Sequence, residues 1–186
     1  MIPGDRERWD AKFGGALGER RDEPDAFVLE ALERLGNVAP GRALDLFCGT
    51  GRHALELARR GWTTSAWDVS PVALGILERR ATEAGLELAT REVDLVAGGA
   101  DVFTGTFDLV VAANFLDRPF LAQLHRLVAV GGHAIFSTFT VDRPGPKPPL
   151  DFCLERGELK RELPGLARLL YREEGGRAGL VAAWRG

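Results

Sequence analysis

Short apolar runs alternate with helical repeats along the first three quarters of the chain. The runs predict five strands, at residues 43–47, 63–67, 86–93, 107–113 and 133–139. Between them, apolar residues recur at helical spacing and predict helices at residues 25–35, 52–60, 71–84 and 117–130. Ser70 with Pro71, and Asp117 with Pro119, are typical of helix starts. Alternating strands and helices, with several strands apolar almost throughout, predict a doubly wound α/β fold around a mostly parallel sheet.

The last quarter of the chain has a different character. A proline-rich loop at residues 142–149 precedes a short polar helix predicted at 155–163. Two further strands, at 166–172 and 180–184, flank the sequence EEGGRAG and predict a C-terminal antiparallel hairpin. With 186 residues, the chain is expected to form a single domain.

Charge and composition narrow the range of partners. The formal net charge is −3, which disfavours nucleic acid, because such binding is mostly electrostatic. The N-terminus is charged from Asp5 onward, and no apolar stretch reaches the length of a signal-peptide core or a membrane span. We therefore expect a cytoplasmic protein without a membrane partner. Its two cysteines, Cys48 and Cys153, are expected to be reduced and to hold no metal.

A glycine turn follows the first predicted strand, in ALDLFCGTGRHALELA at residues 43–58. In an open parallel sheet, this strand-to-helix turn faces the crevice where ligands bind. Gly49 and Gly51 would let the backbone approach a ligand, although a turn that needs glycine for its geometry alone is the simpler alternative. Because GTGRHA also fits a dinucleotide motif with Asp68 as the ribose acid, a nicotinamide-dependent reductase stays open.

Acidic residues lie at or near the ends of the first three strands: Asp45, Asp68 and Asp94. A carboxylate at Asp45 suits a ligand with an ammonium or sulfonium group better than a pyrophosphate. Asp68 can accept two hydrogen bonds from a ribose diol, and Asp94 can accept one from an adenine amino group. Val69 and Leu95 would then cover the adenine faces. The three acids together predict a cationic adenosyl ligand.

These residues resemble the class I S-adenosylmethionine-dependent methyltransferases. The matching motifs are LDLFCGTGR at 44–52, AWDVSPVAL at 66–74, VDL at 93–95 and FDLVVAANFL at 107–116. RWDAKF and EPDAFV in front, with RGELKREL and LLYREE behind, are similar to small bacterial methyltransferases of the tellurite-resistance and thiopurine type. Phe47 stands where the first glycine of the family's motif I is expected.

The resemblance implies a seven-stranded, Rossmann-like sheet of order 3-2-1-4-5-7-6, with the last strand antiparallel. It implies S-adenosylmethionine as cofactor, with Asp45 and the 49–51 loop at the methionine moiety, Asp68 at the ribose and Asp94 at the adenine. Asn114 and Phe115 would lie near the transferred methyl group. The predicted organisation is a helical cap at 1–38, a cofactor-binding core at 40–140, and a loop, short helix and hairpin at 141–186. The predicted cofactor-binding residues are Trp9, Phe13, Asp45, Phe47, Gly49, Gly51, Arg52, Asp68, Val69, Asp94, Leu95, Asn114 and Phe115.

Trp9 and Phe13 lie four residues apart and share one face of a predicted N-terminal helix. Core packing is the default interpretation of such a pair. In the family that the chain resembles, this segment is a lid over the cofactor, which would give both aromatics a second role in excluding water.

A sulfonium is an excellent leaving group, so a general base is needed only when the acceptor carries a proton. Asn114 and His53 are the catalytic candidates, and the other titratable groups considered are Asp117, His125, His133 and Tyr171. We expect no dedicated base and a small-molecule acceptor, such as a thiol or a selenium or tellurium species. Arg52, Arg118 and Arg156 are candidate anion clamps. An RNA methyltransferase and a non-catalytic S-adenosylmethionine-binding domain remain alternatives, and the chain is expected to be a monomer or a homodimer.

Overall fold

The computed structural model describes residues 5–15, 23–161 and 163–186. Parts of the predicted cap and of the predicted polar helix, at 16–22 and 162, therefore lie outside the described residues. The helices are α1 (Asp5–Phe13), α2 (Ala26–Arg34), α3 (Arg52–Arg59), α4 (Pro71–Glu83) and α5 (Arg118–Leu121). The strands are β1 (Arg42–Leu46), β2 (Thr63–Asp68), β3 (Ala89–Glu92), β4 (Phe107–Ala113), β5 (Val128–Phe139), β6 (Leu166–Glu174) and β7 (Arg177–Trp184).

The strands form one seven-stranded sheet in the order β3-β2-β1-β4-β5-β7-β6. Strands β1 to β5 pair in parallel, whereas β7 runs antiparallel to both β5 and β6. The predicted fold class, strand order and C-terminal hairpin are confirmed. The order reverses between β1 and β4, so the carboxyl ends of these two strands border the crevice where such sheets bind ligands.

Local chemistry accounts for the helices that border this crevice. Asp25 caps α2 by accepting a hydrogen bond from the backbone N–H of Phe27 at 3.1 Å. Ser70 caps α4 through Ala73 N–H at 3.1 Å, and Pro71 stands in the first turn. These side chains accept hydrogen bonds from N–H groups that a helix start leaves without intrahelical partners.

Three predicted elements differ from the structure. The strand predicted at 86–93 is only β3, because Leu86 N–H donates to Ala81 O and closes the end of α4 before the strand begins. The helix predicted at 117–130 is α5 followed by a 3-10 turn at Leu124–Leu127. It ends early because Val128 pairs with Phe107 of β4 and begins β5. The polar helix predicted at 155–163 is a 3-10 turn at Glu158–Lys160.

The core lies on both faces of the central strands, as a doubly wound sheet requires. One cluster packs around Leu46, Phe136 and Leu124, and another packs α2 and Trp62 against the opposite face. Within the described ranges, every helix is too short or too polar to cross a membrane.

Candidate functional site

Two cavities open at the carboxyl ends of β1, β2 and β4. The larger, of about 680 Å³, extends from the Gly49 turn past Asn114 to α2 and the C-terminal hairpin. The smaller, of about 100 Å³, lies beside the ends of β2 and β3. The larger cavity has the volume of a typical small-molecule site.

The structure places most of the predicted cofactor-binding residues at these cavities. The larger cavity is lined by Gly49 and Arg52, and the smaller by Asp68, Val69, Asp94, Leu95 and Phe115. Trp9, Phe13, Phe47 and Asn114 line both. Asp45 and Gly51 line neither cavity, and the structure gives both of them another role.

Gly51 is needed for packing. Its φ of +80° is left-handed, and a Cβ at this position would lie 2.1 Å from Cδ1 of the buried Leu77 on α4. Gly49, with φ +52°, faces the ligand side, where a Cβ would lie 3.1 Å from Phe13 Cζ. The prediction that both glycines approach the ligand is therefore corrected for Gly51, because its bare Cα faces α4.

Asp45 lies beneath the turn and is 1% exposed. Its Oδ2 accepts the backbone N–H of Ala54 at 3.0 Å, in the first turn of α3. This bond provides the cap that Gly51, the N-cap residue of α3, cannot make because it has no side chain. Burial raises the pKa of Asp45 to about 8, and its Oδ1 has no hydrogen-bond partner among the described residues. The predicted direct contact between Asp45 and the ligand is therefore corrected, because the carboxyl faces the helix start.

His53 borders the larger cavity but is 4% exposed. Its Nε2 accepts the backbone N–H of Asp25 at 3.1 Å, and its Nδ1 lies 3.9 Å from Asp45 Oδ1. Burial lowers the pKa of His53 to about 3, so the imidazole is neutral. An imidazole whose Nε2 lone pair already accepts a hydrogen bond is a poor general base, and His53 instead joins α2 to α3.

Asp68 and Asp94 hold the turns that follow their strands. Asp68 accepts Gly49 N–H at 2.8 Å and Ser70 N–H at 2.9 Å, one on each carboxylate oxygen. Burial raises the pKa of Asp68 above its ordinary value, although these backbone N–H groups oppose the shift. Asp94 Oδ1 accepts from Val96 and Ala97 N–H. A carboxylate has about four acceptor positions, so each acid can still accept from a ligand.

Helix α1 lies across the crevice. Asp10 Oδ1 accepts a hydrogen bond from the Ser70 hydroxyl, and the Arg6 guanidinium lies 2.8 Å from Glu92 at the end of β3. Trp9 and Phe13 stack with ring centroids 5.7 Å apart. The sequence analysis missed Asp10, because nothing in the pattern pairs it with a residue 60 positions away.

A partly buried polar network on the opposite wall was also missed. Nη2 of Arg177, on β7, donates to Asp25, to Asn114 Oδ1 at 2.9 Å and to Ser137 Oγ at 3.2 Å. Ser137 in turn donates to Asp25 Oδ1 at 3.2 Å. Burial lowers the pKa of Arg177, and the Asp25 carboxylate opposes that shift. The sequence pattern predicted Asp25 as the start of a helix, but it gave no indication that Arg177 would lie beside it.

Of the remaining candidates, all except Arg52 lie away from the cavities. Two of the predicted anion clamps are corrected: Arg118 pairs with Glu158 at 2.6 Å, and Arg156 pairs with Asp142 at 2.6 Å. Arg52 does border the larger cavity. Among the other titratable groups, Asp117 caps α5, Tyr171 donates to Glu173, and the His125 ring packs against Trp184. His133 lies on β5 and lines neither cavity.

This geometry agrees with the similarity of the chain to known proteins. A family described as a methyltransferase domain matches residues 43–132. Over 165 residues, the chain is 36% identical to a demethylmenaquinone methyltransferase of Thermus thermophilus, covering 85% of this chain and 69% of the relative. The chain belongs to the class I S-adenosylmethionine-dependent methyltransferases. The cofactor of this family, and therefore of this chain, is S-adenosylmethionine.

One further methyltransferase is similar to this chain in sequence, and two solved methyltransferase structures are similar to it in fold. The chain is 26% identical to the probable S-adenosylmethionine-dependent methyltransferase TehB of Haemophilus influenzae, over 75% of this chain and 50% of TehB. The TehB crystal structure superposes with a TM-score of 0.72 at 21% identity, over 96% of this chain and 66% of that chain. A magnesium protoporphyrin IX methyltransferase from Synechocystis with bound S-adenosylmethionine gives 0.69 at 18% identity, over 97% of both chains. At such low identity, these two structures show a shared fold.

The residues at the crevice fit S-adenosylmethionine. Asp68 retains acceptor capacity on the smaller cavity, and Gly49 lines the larger cavity without a side chain, next to Phe13.

Proposed function

We propose that the protein transfers a methyl group from S-adenosylmethionine to a small molecule bound in the larger cavity. The observation that carries this proposal is the extent of that cavity, which begins at the Gly49 turn and continues past Asn114 to Arg177. A cofactor held at the turn would leave the far end for an acceptor. The sulfonium of the cofactor supplies the activated methyl group and the leaving group.

The residues of the chain would hold and orient the two reactants. Asp68 would bind the ribose, and Asp94 with Val69 and Leu95 the adenine. Gly49 and Arg52 would bind the methionine end. Asn114, held by Arg177 on one side and by its own N–H to Ser137 O at 2.8 Å, would border the transferred methyl group. Trp9 and Phe13 on α1 would exclude water from this position.

A soft or already anionic nucleophile suits this cavity best. The imidazole and the partly buried acids on its wall are engaged: His53 accepts from Asp25 N–H, the Asp25 carboxylate pairs with Arg177, and Glu30 forms a bidentate pair with Arg172. An acceptor such as a thiolate or a selenium or tellurium oxyanion needs no proton removed. The Arg52 guanidinium, whose Nη1 donates to Glu23 O, adds positive charge to the same wall.

A phenol or quinol is a second candidate acceptor. Phe27, Phe47 and Phe139 line the larger cavity and would pack against an aromatic ring. The relatives with 36% and 38% identity are named as a demethylmenaquinone methyltransferase and a ubiquinone biosynthesis O-methyltransferase. The chain spans 69% and 44% of these two proteins, so their acceptors serve here only as test compounds.

Two measurements test the proposal in sequence. Calorimetric titration with S-adenosylhomocysteine should give micromolar binding, whereas NADH should give none. A transfer assay with methyl-labelled cofactor then compares thiols, selenite, tellurite, quinols and RNA. Binding of NADH alone would support the reductase alternative. Binding of S-adenosylhomocysteine with no labelled product from any compound would favour a non-catalytic binding domain.

A further inference from the structure

Among the described residues, four line both cavities: Trp9, Phe13, Phe47 and Asn114. Three of the four are aromatic. Asp68, Asp94 and Leu95 border only the smaller cavity, and Gly49 and Arg52 border only the larger one. The place where the cavities meet is therefore bordered by three rings and Asn114, whereas the acids and Arg52 lie to either side of it.

The position of this junction relative to the cofactor follows from the proposed function, on which the inference rests. The adenosine would lie in the smaller cavity and the methionine chain at the Gly49 turn, and the sulfur atom links the two. We propose that Trp9, Phe13 and Phe47 form an aromatic box that recognises the positive charge of the sulfonium. The protein then binds S-adenosylmethionine more tightly than the neutral S-adenosylhomocysteine.

Phe47 contributes the ring that the sequence motif would not place there. Its φ of +55° is left-handed, at the position where the family motif has glycine. Phe115 stacks on one face of its ring, with centroids 3.4 Å apart and planes at 10°, and Phe120 packs edge-on at 5.2 Å. The stacked Phe115 ring holds the Phe47 ring in place where it borders both cavities.

The rings on α1 complete the box from the other side. Trp9 and Phe13 stack within one helix, and Phe13 Cζ lies over the bare Cα of Gly49. Anchoring of α1 through Asp10 and Ser70 brings both rings to the junction.

Aromatic faces attract cations through their quadrupole, and the attraction grows when water is excluded. The thioether of S-adenosylhomocysteine carries no charge, so it loses the cation–π attraction and keeps only the weaker sulfur–aromatic contact. We therefore expect about 3- to 30-fold tighter binding of the charged cofactor, the ratio that typical cation–π energies produce. Such a ratio would also favour release of the product after transfer.

The test compares dissociation constants of the two nucleosides by calorimetry in four proteins. Phe47→Leu removes the ring but keeps an apolar side chain, and Phe47→Tyr keeps an aromatic face at the same backbone angle. Phe120→Leu is the matched control, because Phe120 packs against Phe47 without lining either cavity. Circular dichroism confirms that each variant is folded.

In the expected result, Phe47→Leu brings the ratio of the two constants towards one by weakening the binding of S-adenosylmethionine. Phe47→Tyr and Phe120→Leu keep the wild-type ratio. Equal affinities in the wild type, or equal weakening of both nucleosides by Phe47→Leu, would overturn the aromatic box while leaving the proposed function intact. If the wild type bound neither nucleoside, the proposed function would fail, and this inference with it.

Discussion

At the scale of single residues, Gly49 and Gly51 illustrate how one motif combines two requirements. Both adopt a left-handed φ, but a side chain at Gly49 would meet Phe13 on α1, whereas one at Gly51 would meet the buried Leu77. Gly49 therefore shapes the ligand side of the turn, and Gly51 lets α4 pack against it. A substitution at Gly49 should therefore affect ligand binding, and a substitution at Gly51 should affect stability.

Gly51→Ala should lower the free energy of unfolding by about 2–4 kcal/mol, because it adds backbone strain and overpacks Leu77. Chemical denaturation followed by circular dichroism measures the loss. Gly75→Ala is the control: Gly75 is exposed within α4, and a Cβ there meets nothing within 4 Å. That variant should gain about 0.5–1 kcal/mol from helix propensity. A Gly51→Ala protein as stable as the wild type would contradict the assignment.

Asp68→Asn should weaken the binding of S-adenosylhomocysteine by about 1–3 kcal/mol, since a neutral amide offers fewer acceptor positions to the ribose and to Gly49 N–H. Calorimetry measures the change. Asp117→Asn, which alters a helix cap outside both cavities, is the matched control and should leave the affinity unchanged, because Asn caps as well as Asp. Unchanged affinity in Asp68→Asn would remove Asp68 from the proposed site.

At the scale of elements, polar contacts with the described residues join α1 to the rim of the crevice. The Asp10–Ser70 hydrogen bond and the Arg6–Glu92 ion pair join it to α4 and β3. Arg6 and Glu92 are 53% and 45% exposed, and exposed ion pairs contribute little. Of these two contacts, we therefore expect the one made by Asp10 to contribute more, since its carboxylate also accepts Val72 N–H in the first turn of α4.

Asp10→Ala should increase the hydrogen-exchange rates of the α1 amides about 3- to 10-fold, which corresponds to the loss of one hydrogen bond of roughly 1 kcal/mol. Global stability should change little, because the core does not involve α1. Asp151→Ala removes an exposed carboxyl from the 3-10 turn at Leu150–Phe152 and serves as the control. Unaltered exchange in the Asp10 variant would contradict the role of Asp10 in anchoring α1.

At the scale of the whole molecule, Asp45 and His53 give the stability a pH dependence with opposite signs. The pKa of Asp45 is raised to about 8, so the folded protein retains a proton that the unfolded chain loses near pH 4. The pKa of His53 is lowered to about 3, so the unfolded chain binds a proton below about pH 6.5 that the folded protein does not. Stability therefore rises with pH through the histidine and falls with pH through the aspartate.

Asp45→Asn isolates the aspartate contribution. Between about pH 4 and 8, the wild type should lose on the order of a few kcal/mol of stability relative to this variant, because only the wild type must take up a proton on folding to keep its buried carboxyl neutral. The Asn side chain can still accept Ala54 N–H. Urea denaturation across this pH range measures the difference, with Asp151→Asn as the control. Parallel pH profiles for the wild type and Asp45→Asn would contradict the raised pKa.

Prediction from the sequence succeeded where one segment contains its own determinants. Helices α2 and α4 were predicted within a residue or two, because their apolar spacing and caps are local. The strand predicted at 86–93 and the helix predicted at 117–130 failed because contacts from elsewhere shortened them. Leu86 closes α4, and Val128 is taken into the sheet beside Phe107. The intrinsic preference of a segment for helix or strand is small compared with the energy of such tertiary contacts.

By itself, the sequence determined the alternation of elements, the glycine turn and the acids at the strand ends. Only the tertiary structure decided what each side chain meets. It buried Asp45 under α3, joined His53 to the cap of α2, and brought Arg177 to Asp25 across 152 residues. The physical reason is the distance along the chain over which each kind of interaction acts. Periodicity and capping depend on neighbours within a few positions, whereas the partner of a buried charge depends on how distant segments pack.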